Sequence, residues 1–266
     1  MQYTLGFIGC GNMGGALVTA AVKTLPAEQI AVCDFDATKT EKFAKTYGVN
    51  VVSAQEIAQN SRFIVLGVKP QVMAQTLAPI AGILQTRTDA VVVTMAAGTP
   101  IATIRKLIGA DGLPIVRIMP NTPVLLGEGM ILYSLSNVDE HARNAFLHAF
   151  SAAGKFDELP EETIDAASAL SGCGPAFVYA FADSLANGAA DCGVPKEKAA
   201  LYAAQTLLGA AKMLLEFGDP VALKTAVCSP GGTTIEGLRA MENAGFSQAT
   251  EAAVHAAYKR ALELKK

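Results

Sequence analysis

Two stretches, one at each end of the chain, have residue types and spacings suited to chemistry. Near the C-terminal end, Cys228-Ser229-Pro230-Gly231-Gly232-Thr233-Thr234 runs into Ile235, Leu238 and Met241, apolar residues at helical spacing. This reads as a loop that turns into a helix, with Thr233 or Thr234 as its cap. Pro230 lacks an N–H, and Gly231 and Gly232 reach backbone conformations closed to other residues. Unpaired N–H groups at such a helix start can hold a small anion, a carboxylate or a phosphate. Pro-Gly-Gly alone also makes an ordinary capped turn. At the other end, Thr4–Ile8 is a short apolar run that leads into Gly9-Cys10-Gly11-Asn12-Met13-Gly14, followed by a helical pattern through Leu17, Ala20 and Ala21. Gly-x-Gly-x-x-Gly between a strand and a helix permits a tight turn, close approach of a pyrophosphate, and tight packing of helix on strand.

These stretches need a scaffold, and the first half of the chain supplies it. Ile30–Cys33 is a second strand, followed by Asp34. An acid at that distance from the glycines grips the ribose hydroxyls of an adenine dinucleotide; a turn or cap role before Thr38 is the alternative. Val49–Val52 precedes a capping box from Ser53 to Glu56. Phe63–Val68, Ala90–Met95 and Ile115–Met119 are further strands; Met130–Ser134 and Lys155–Glu158, around a helix over Asp139–Ala152, complete the edge. Near-continuous Val and Ile runs separated by helices predict a parallel sheet covered on both faces. Ligands of such sheets lie beyond the carboxyl ends of the strands. Val68-Lys69-Pro70, Ala96-Ala97-Gly98 and the segment Met119–Thr122, including Asn121, therefore line one crevice. Lys69 either reaches a cofactor phosphate or points into solvent.

From Pro160 onward strand signals stop and alanine becomes dense. Helices are predicted over Pro160–Leu170, Ala176–Ala190, Pro195–Phe217 and Ser247–Lys265, with a break at Ser171–Pro175. Between Ala199 and Leu215 apolar residues go nearly all the way round the helix. A small domain has trouble burying such a helix alone, so it predicts a subunit interface. The fold class is thus α/β: an N-terminal doubly wound Rossmann-type sheet, residues 1–160, followed by an all-α dimerisation domain, residues 161–266.

Composition narrows the function classes. A net charge of −3 with no basic cluster argues against nucleic acid. The five cysteines are scattered with no C-x-x-C pair, which reads as buried apolar residues in a reducing compartment. No uncharged run reaches the ~18–20 residues of a membrane span, and glycines break the N-terminal apolar run, so neither a membrane anchor nor a signal peptide is expected. A cytoplasmic protein is the expectation. His141, His148 and His255 are isolated helix-surface residues, and no metal site is expected.

Taken together, Gly6–Gly14, Val68–Pro70, Ala96–Gly98, Met119–Pro123, Ser171–Phe177 and Leu223–Glu242 resemble the Δ1-pyrroline-5-carboxylate reductases over essentially the whole chain. Cys173 and Phe177 depart from the usual serine and tyrosine. The resemblance implies reduction of a cyclic imine carboxylate to L-proline, with hydride passing from NADPH or NADH to the imine carbon C5. It implies a cofactor site at Ile8, Gly9, Cys10, Gly11, Asn12, Met13, Gly14, Asp34, Val68, Lys69, Pro70, Ala96, Ala97, Gly98 and Asn121. It implies a substrate site at Ser229, Gly231, Gly232, Thr233 and Thr234, with the N–H groups of Gly231, Gly232 and Thr233 holding the carboxylate. The Thr234 hydroxyl is the catalytic group, hydrogen-bonded to the ring nitrogen. It further implies a homodimer through the helical domain, able to assemble into a decamer. Asp34, with no arginine beside it, points toward NADH.

Two rivals are set aside at this level. A β-hydroxyacid dehydrogenase would place a lysine on the first long helix of the second domain, yet no lysine or arginine occurs between Lys155 and Lys196. A nucleotide-sensing module would need no anion loop. The loop does not by itself measure ring size, so a six-membered cyclic imine also fits.

Overall fold

The computed structural model describes residues 2–265. Among these residues eight strands are interspersed with seven α-helices, and six further α-helices follow without strands. β1 (Tyr3–Ile8), α1 (Asn12–Ala21), β2 (Ile30–Cys33), α2 (Ala37–Tyr47), β3 (Asn50–Val51), α3 (Ala54–Asn60) and β4 (Ser61–Leu66) come first. Then follow α4 (Met73–Leu77), α5 (Ala81–Thr86), β5 (Val91–Thr94), α6 (Ile101–Ile108), β6 (Ile115–Met119), β7 (Gly129–Ser136), α7 (Glu140–Ala149), β8 (Gly154–Glu158) and α8 (Glu161–Ser171). The remainder is α9 (Gly174–Asp191), α10 (Lys196–Phe217), α11 (Pro220–Ala226), α12 (Thr233–Asn243) and α13 (Phe246–Glu263).

Local chemistry sets many of these boundaries. The Asp36 side chain accepts the Thr38 N–H and starts α2, which stops at Gly48 in the left-handed region, φ 76°. Ser53 caps α3 through the Glu56 N–H, the forward half of the expected capping box. α11, preceded by Asp219 as cap and beginning with Pro220, is an element not anticipated above, although Asp-Pro is a helix-start signal.

The sheet order is β3-β2-β1-β4-β5-β6-β7-β8. β1 to β6 are mutually parallel, but β7 runs antiparallel to β6, and β8 runs parallel to β7. The parallel sheet read from the first six strands is present, and the two edge strands add one reversal of direction. The short connection from β6 to β7 contains no crossover helix, and a parallel pair would require one. Alternation along the strands feeds two cores. Phe7, Phe63, Val65 and Val116 pack under α1 and α7 with Leu17, Phe146 and Phe150. Ile64, Leu66, Val92 and Ile115 pack on the other face with Ile57, Met73, Leu77 and Ile104.

Two compact units emerge: residues Met1–Cys173 with Ala257–Lys266, and Gly174–Ala256. The expected boundary at residue 160 falls at the start of α8. Compactness places α8 in the first unit because it packs on β6 and β7 and its Asp165 pairs with buried Arg117 of β6. The second unit has almost no interior of its own. Its buried apolar cluster is Ala186, Ala199 and Ala203, with Ala189 and Val194 beside it. Leu201, Tyr202, Leu208, Met213, Leu215 and Phe217 on α10 stand exposed.

Candidate functional site

In the first unit the glycine-rich loop is shaped by two close approaches. Gly9 has φ +101°, and a Cβ there would meet the Gly67 carbonyl at 2.7 Å; a Cβ at Gly14 would strike the Gly9 carbonyl. Only glycine fits either position. The Gly9 N–H donates to the Cys33 carbonyl at 2.8 Å, which ties the loop to the end of β2. α1 begins after Gly11 with no side-chain cap. The N–H groups of Asn12, Met13 and Gly14 have no protein acceptor among the described residues and point out of the helix start, as a pyrophosphate requires.

Asp34 has a double task. Its Oδ2 accepts the Cys10 N–H at 2.6 Å, and its Oδ1 accepts the Asp36 N–H at 2.9 Å with Lys39 Nζ at 3.4 Å. The carboxylate therefore braces the glycine loop as well as standing where a ribose would bind. The helix-capping role that was the alternative for Asp34 belongs to Asp36. Burial, and then the charge of Asp34, push the Cys10 thiol up to about 12, so it stays protonated and is no nucleophile. Cys10 is also the one cysteine that fits the expected burial; Cys173 and Cys192 are exposed, and all five are free.

β1, β4, β5 and β6 are adjacent and parallel. Their following loops, Gly9–Gly14, Val68–Pro70, Ala96–Gly98 and Asn121, thus lie along one edge of the sheet. Lys69 is exposed and makes no ion pair among the described residues. Asn121 is spent structurally: its Nδ2 donates to the Ser171 carbonyl at 2.9 Å and its Oδ1 accepts the Met130 N–H at 3.0 Å. Its side chain thereby ties β7 to the end of α8. Two residues beside this edge escaped the sequence reading. Gly67 leaves room for the Gly9 carbonyl, and Arg117 sits fully buried in β6. A charged residue inside an apolar strand was the available signal for Arg117.

In the second unit, Ser229-Pro230-Gly231-Gly232 is a tight turn. The Gly232 N–H donates to the Ser229 carbonyl at 3.0 Å, with proline second and Gly231 third at φ +70°, the pattern of a type II turn. This corrects two expectations. The Gly232 N–H is consumed by the turn, so it is not free for a ligand. The cap of α12 is Gly232, with no side-chain cap, so neither threonine plays that part. Three backbone donors at the turn remain. The N–H groups of Gly231, Thr233 and Thr234 have no protein acceptor among the described residues. Thr234 is exposed and its hydroxyl is likewise unpaired. Ser229, Pro230 and Gly231 line a cavity of about 470 Å³ together with Lys224 and Arg239.

His141, His148 and His255 are exposed, and no group of metal-ligating side chains occurs among the described residues. No helix among those residues is long and apolar enough to cross a membrane.

A glycine-rich strand–turn–helix at the edge of a doubly wound sheet defines a nicotinamide-dependent oxidoreductase. Residues 4–98 match the family model for NADP oxidoreductase, coenzyme F420-dependent, and residues 161–264 match that for pyrroline-5-carboxylate reductase dimerisation. The chain is 40% identical over 268 residues to pyrroline-5-carboxylate reductase 3 of Danio rerio, covering 99% of this chain and 92% of that one. It is 38% identical to pyrroline-5-carboxylate reductase of Escherichia coli (strain K12), covering 94% and 93%. Among solved structures it is similar to a pyrroline-5-carboxylate reductase from Coxiella burnetii, TM-score 0.90 at 32% identity, with both chains covered in full (100%). It is also similar to pyrroline carboxylate reductase of Plasmodium falciparum with NADP bound, TM-score 0.88 at 30% identity over 99% and 98%. The chain belongs to the pyrroline-5-carboxylate reductase family.

Proposed function

We propose that this protein reduces Δ1-pyrroline-5-carboxylate to L-proline at the expense of a reduced nicotinamide dinucleotide. The observation that carries this reading is the turn Ser229–Gly232 with its three unpaired N–H groups and the adjacent free Thr234 hydroxyl. Such a site suits a small carboxylate joined to a ring with a basic nitrogen. The cofactor supplies hydride. The chain's own part is to bind and orient, with the turn's N–H groups and the Thr234 hydroxyl as the donors placed for it. Gly231, Thr233 and Thr234 N–H groups hold the carboxylate, and the Thr234 hydroxyl hydrogen-bonds the ring nitrogen. That keeps the imine protonated, which makes C5 the better hydride acceptor. Oxidation of NADH and of NADPH with pyrroline-5-carboxylate as acceptor tests the activity; no oxidation of either overturns it. The six-membered analogue, offered in parallel, measures ring preference.

For the cofactor we infer a preference for NADH. Asp34 would repel a 2′-phosphate, and the nearby Lys39 ammonium is shared between Asp34 at 3.4 Å and Asp36 at 3.9 Å. Its charge is already matched by two carboxylates. Initial rates at equal low concentrations of the two nucleotides decide the matter, and faster oxidation of NADPH would reverse it. The exposed apolar residues of α10 support a homodimer through the helical unit, and the decamer is the larger assembly that sedimentation would distinguish.

A further inference from the structure

A charge cluster beneath the loop after β5 has no part in the reaction described above. Arg117 is fully buried in β6. Its Nη2 donates to Asp165 Oδ1 at 2.5 Å and its Nη1 to Glu161 Oε1 at 3.3 Å, both carboxylates lying on α8. One guanidinium therefore faces two acids, leaving an excess negative charge in a largely buried place. The balance comes from the end of the chain. Lys265 Nζ lies 2.8 Å from Asp165 Oδ2, a buried atom with no aligned hydrogen bond, and so supplies the second positive charge on this carboxylate beside Arg117.

The same cluster and the same chain end hold both sides of the Ala96–Gly98 loop. Glu161 Oε1 also accepts the N–H of Ile101 at 2.7 Å, at the point where the chain leaves that loop and enters α6. On the other side Leu264 presses against Gly98. A Cβ there would lie 2.8 Å from Leu264 Cβ and 2.9 Å from its carbonyl carbon and oxygen, at a backbone φ of +67°. Residues 257–266 belong to the first compact unit, so these contacts lie within one body.

We propose that Leu264–Lys265 is a positioning segment for the cofactor loop: Lys265 neutralises the Arg117–Glu161–Asp165 cluster, and Leu264 braces Gly98 from outside. This rests on the reading of Ala96–Gly98 as part of the cofactor site. When the brace is lost the loop is no longer held in one place, so cofactor binding weakens although neither residue need touch the cofactor. The test uses the full chain carrying Lys265→Met, Lys265→Arg or Leu264→Ala, with Lys259→Met, an exposed lysine on α13, as control. The dissociation constants of NADH and NADPH are measured without imine, beside the melting temperature. Lys265→Met is expected to weaken cofactor binding about tenfold, Lys265→Arg to restore it, Leu264→Ala to weaken it less, and Lys259→Met to match wild type. A merely structural role would lower the melting temperature and leave the affinity of the folded protein unchanged. Wild-type affinity in both Lys265→Met and Leu264→Ala overturns the proposal. Failure of the wild type itself to bind either nucleotide removes the loop reading, and the proposal with it.

Discussion

The two compact units of this protein are held together in different ways. The first buries Phe7, Phe63, Phe146, Phe150 and two ranks of Val and Ile on the two faces of one sheet. The second buries little more than Ala186, Ala199 and Ala203, while Leu201, Leu208, Leu215 and Phe217 face outward. Burial of apolar side chains is the main favourable term in folding. The first unit therefore carries its own stability, and the second must borrow it from surfaces supplied by another copy. The division runs parallel to the proposed chemistry: the unit with its own core carries the glycine-rich loop, and the unit with little core carries the Ser229–Gly232 turn.

The strongest way to break this comparison is to charge the exposed face of the second unit. Leu208→Glu combined with Leu215→Glu is expected to abolish assembly and nearly all activity while leaving the sheet unit folded. Sedimentation, circular dichroism and nucleotide binding check this together; an active monomer would sink the idea. Next in size is a cavity in the first unit. Phe63→Ala should cost about 4 kcal/mol, with the loss the same at every protein concentration. The melting temperature of wild type, by contrast, should rise with concentration wherever the second unit's transition is followed.

The chemistry of the second unit can be tested without touching its packing. Thr234→Ala removes the hydrogen bond proposed to the reacting ring and should cost about 2 kcal/mol of transition-state stabilisation. Turnover then falls while cofactor affinity stays near wild type; unchanged turnover would refute the assigned role. The smallest effect lies in the first unit. The Cys10 thiol ionises near 9.0 when exposed and at about 12 in the fold, because burial disfavours the thiolate. Above pH 9.0 the unfolded chain holds fewer protons than the native one, so stability is intact below that pH and falls as pH rises toward 12. The loss is about 1 kcal/mol for the first pH unit, read as the difference in alkaline stability between wild type and Cys10→Ala.

Several features were legible without coordinates because they depend on near neighbours in the chain. Glycine spacing, the proline and glycines of the turn, the Ser53 cap and the apolar runs of β1, β4 and β6 are of this kind. The exposed face of α10 was legible as well, since its apolar residues exceed what a small domain can cover. The sequence was silent where one residue could serve two partners. Asn121 was placed at the crevice by its position after β6, but nothing in the sequence showed that its side chain ties β7 to α8. Gly232 looked like a free donor, and its N–H closes the turn. The direction of β7 is not written in its apolar pattern, which is the same either way; only the short connection from β6, with no room for a crossover helix, marks the reversal.

By itself, then, the amino-acid order determined which segments are strands and helices, where the dinucleotide loop and the anion turn lie, and to which enzyme family the whole belongs. These follow from periodicity and from backbone freedom at particular glycines and prolines, which act over a few residues. Only the tertiary structure decided which polar groups are left unpaired, because a hydrogen bond formed within the fold removes a donor from catalysis whatever its residue type. It alone brought Arg117, Asp165 and Lys265 together from distant parts of the chain, since a buried charge must find its counter-charge in space and not in sequence.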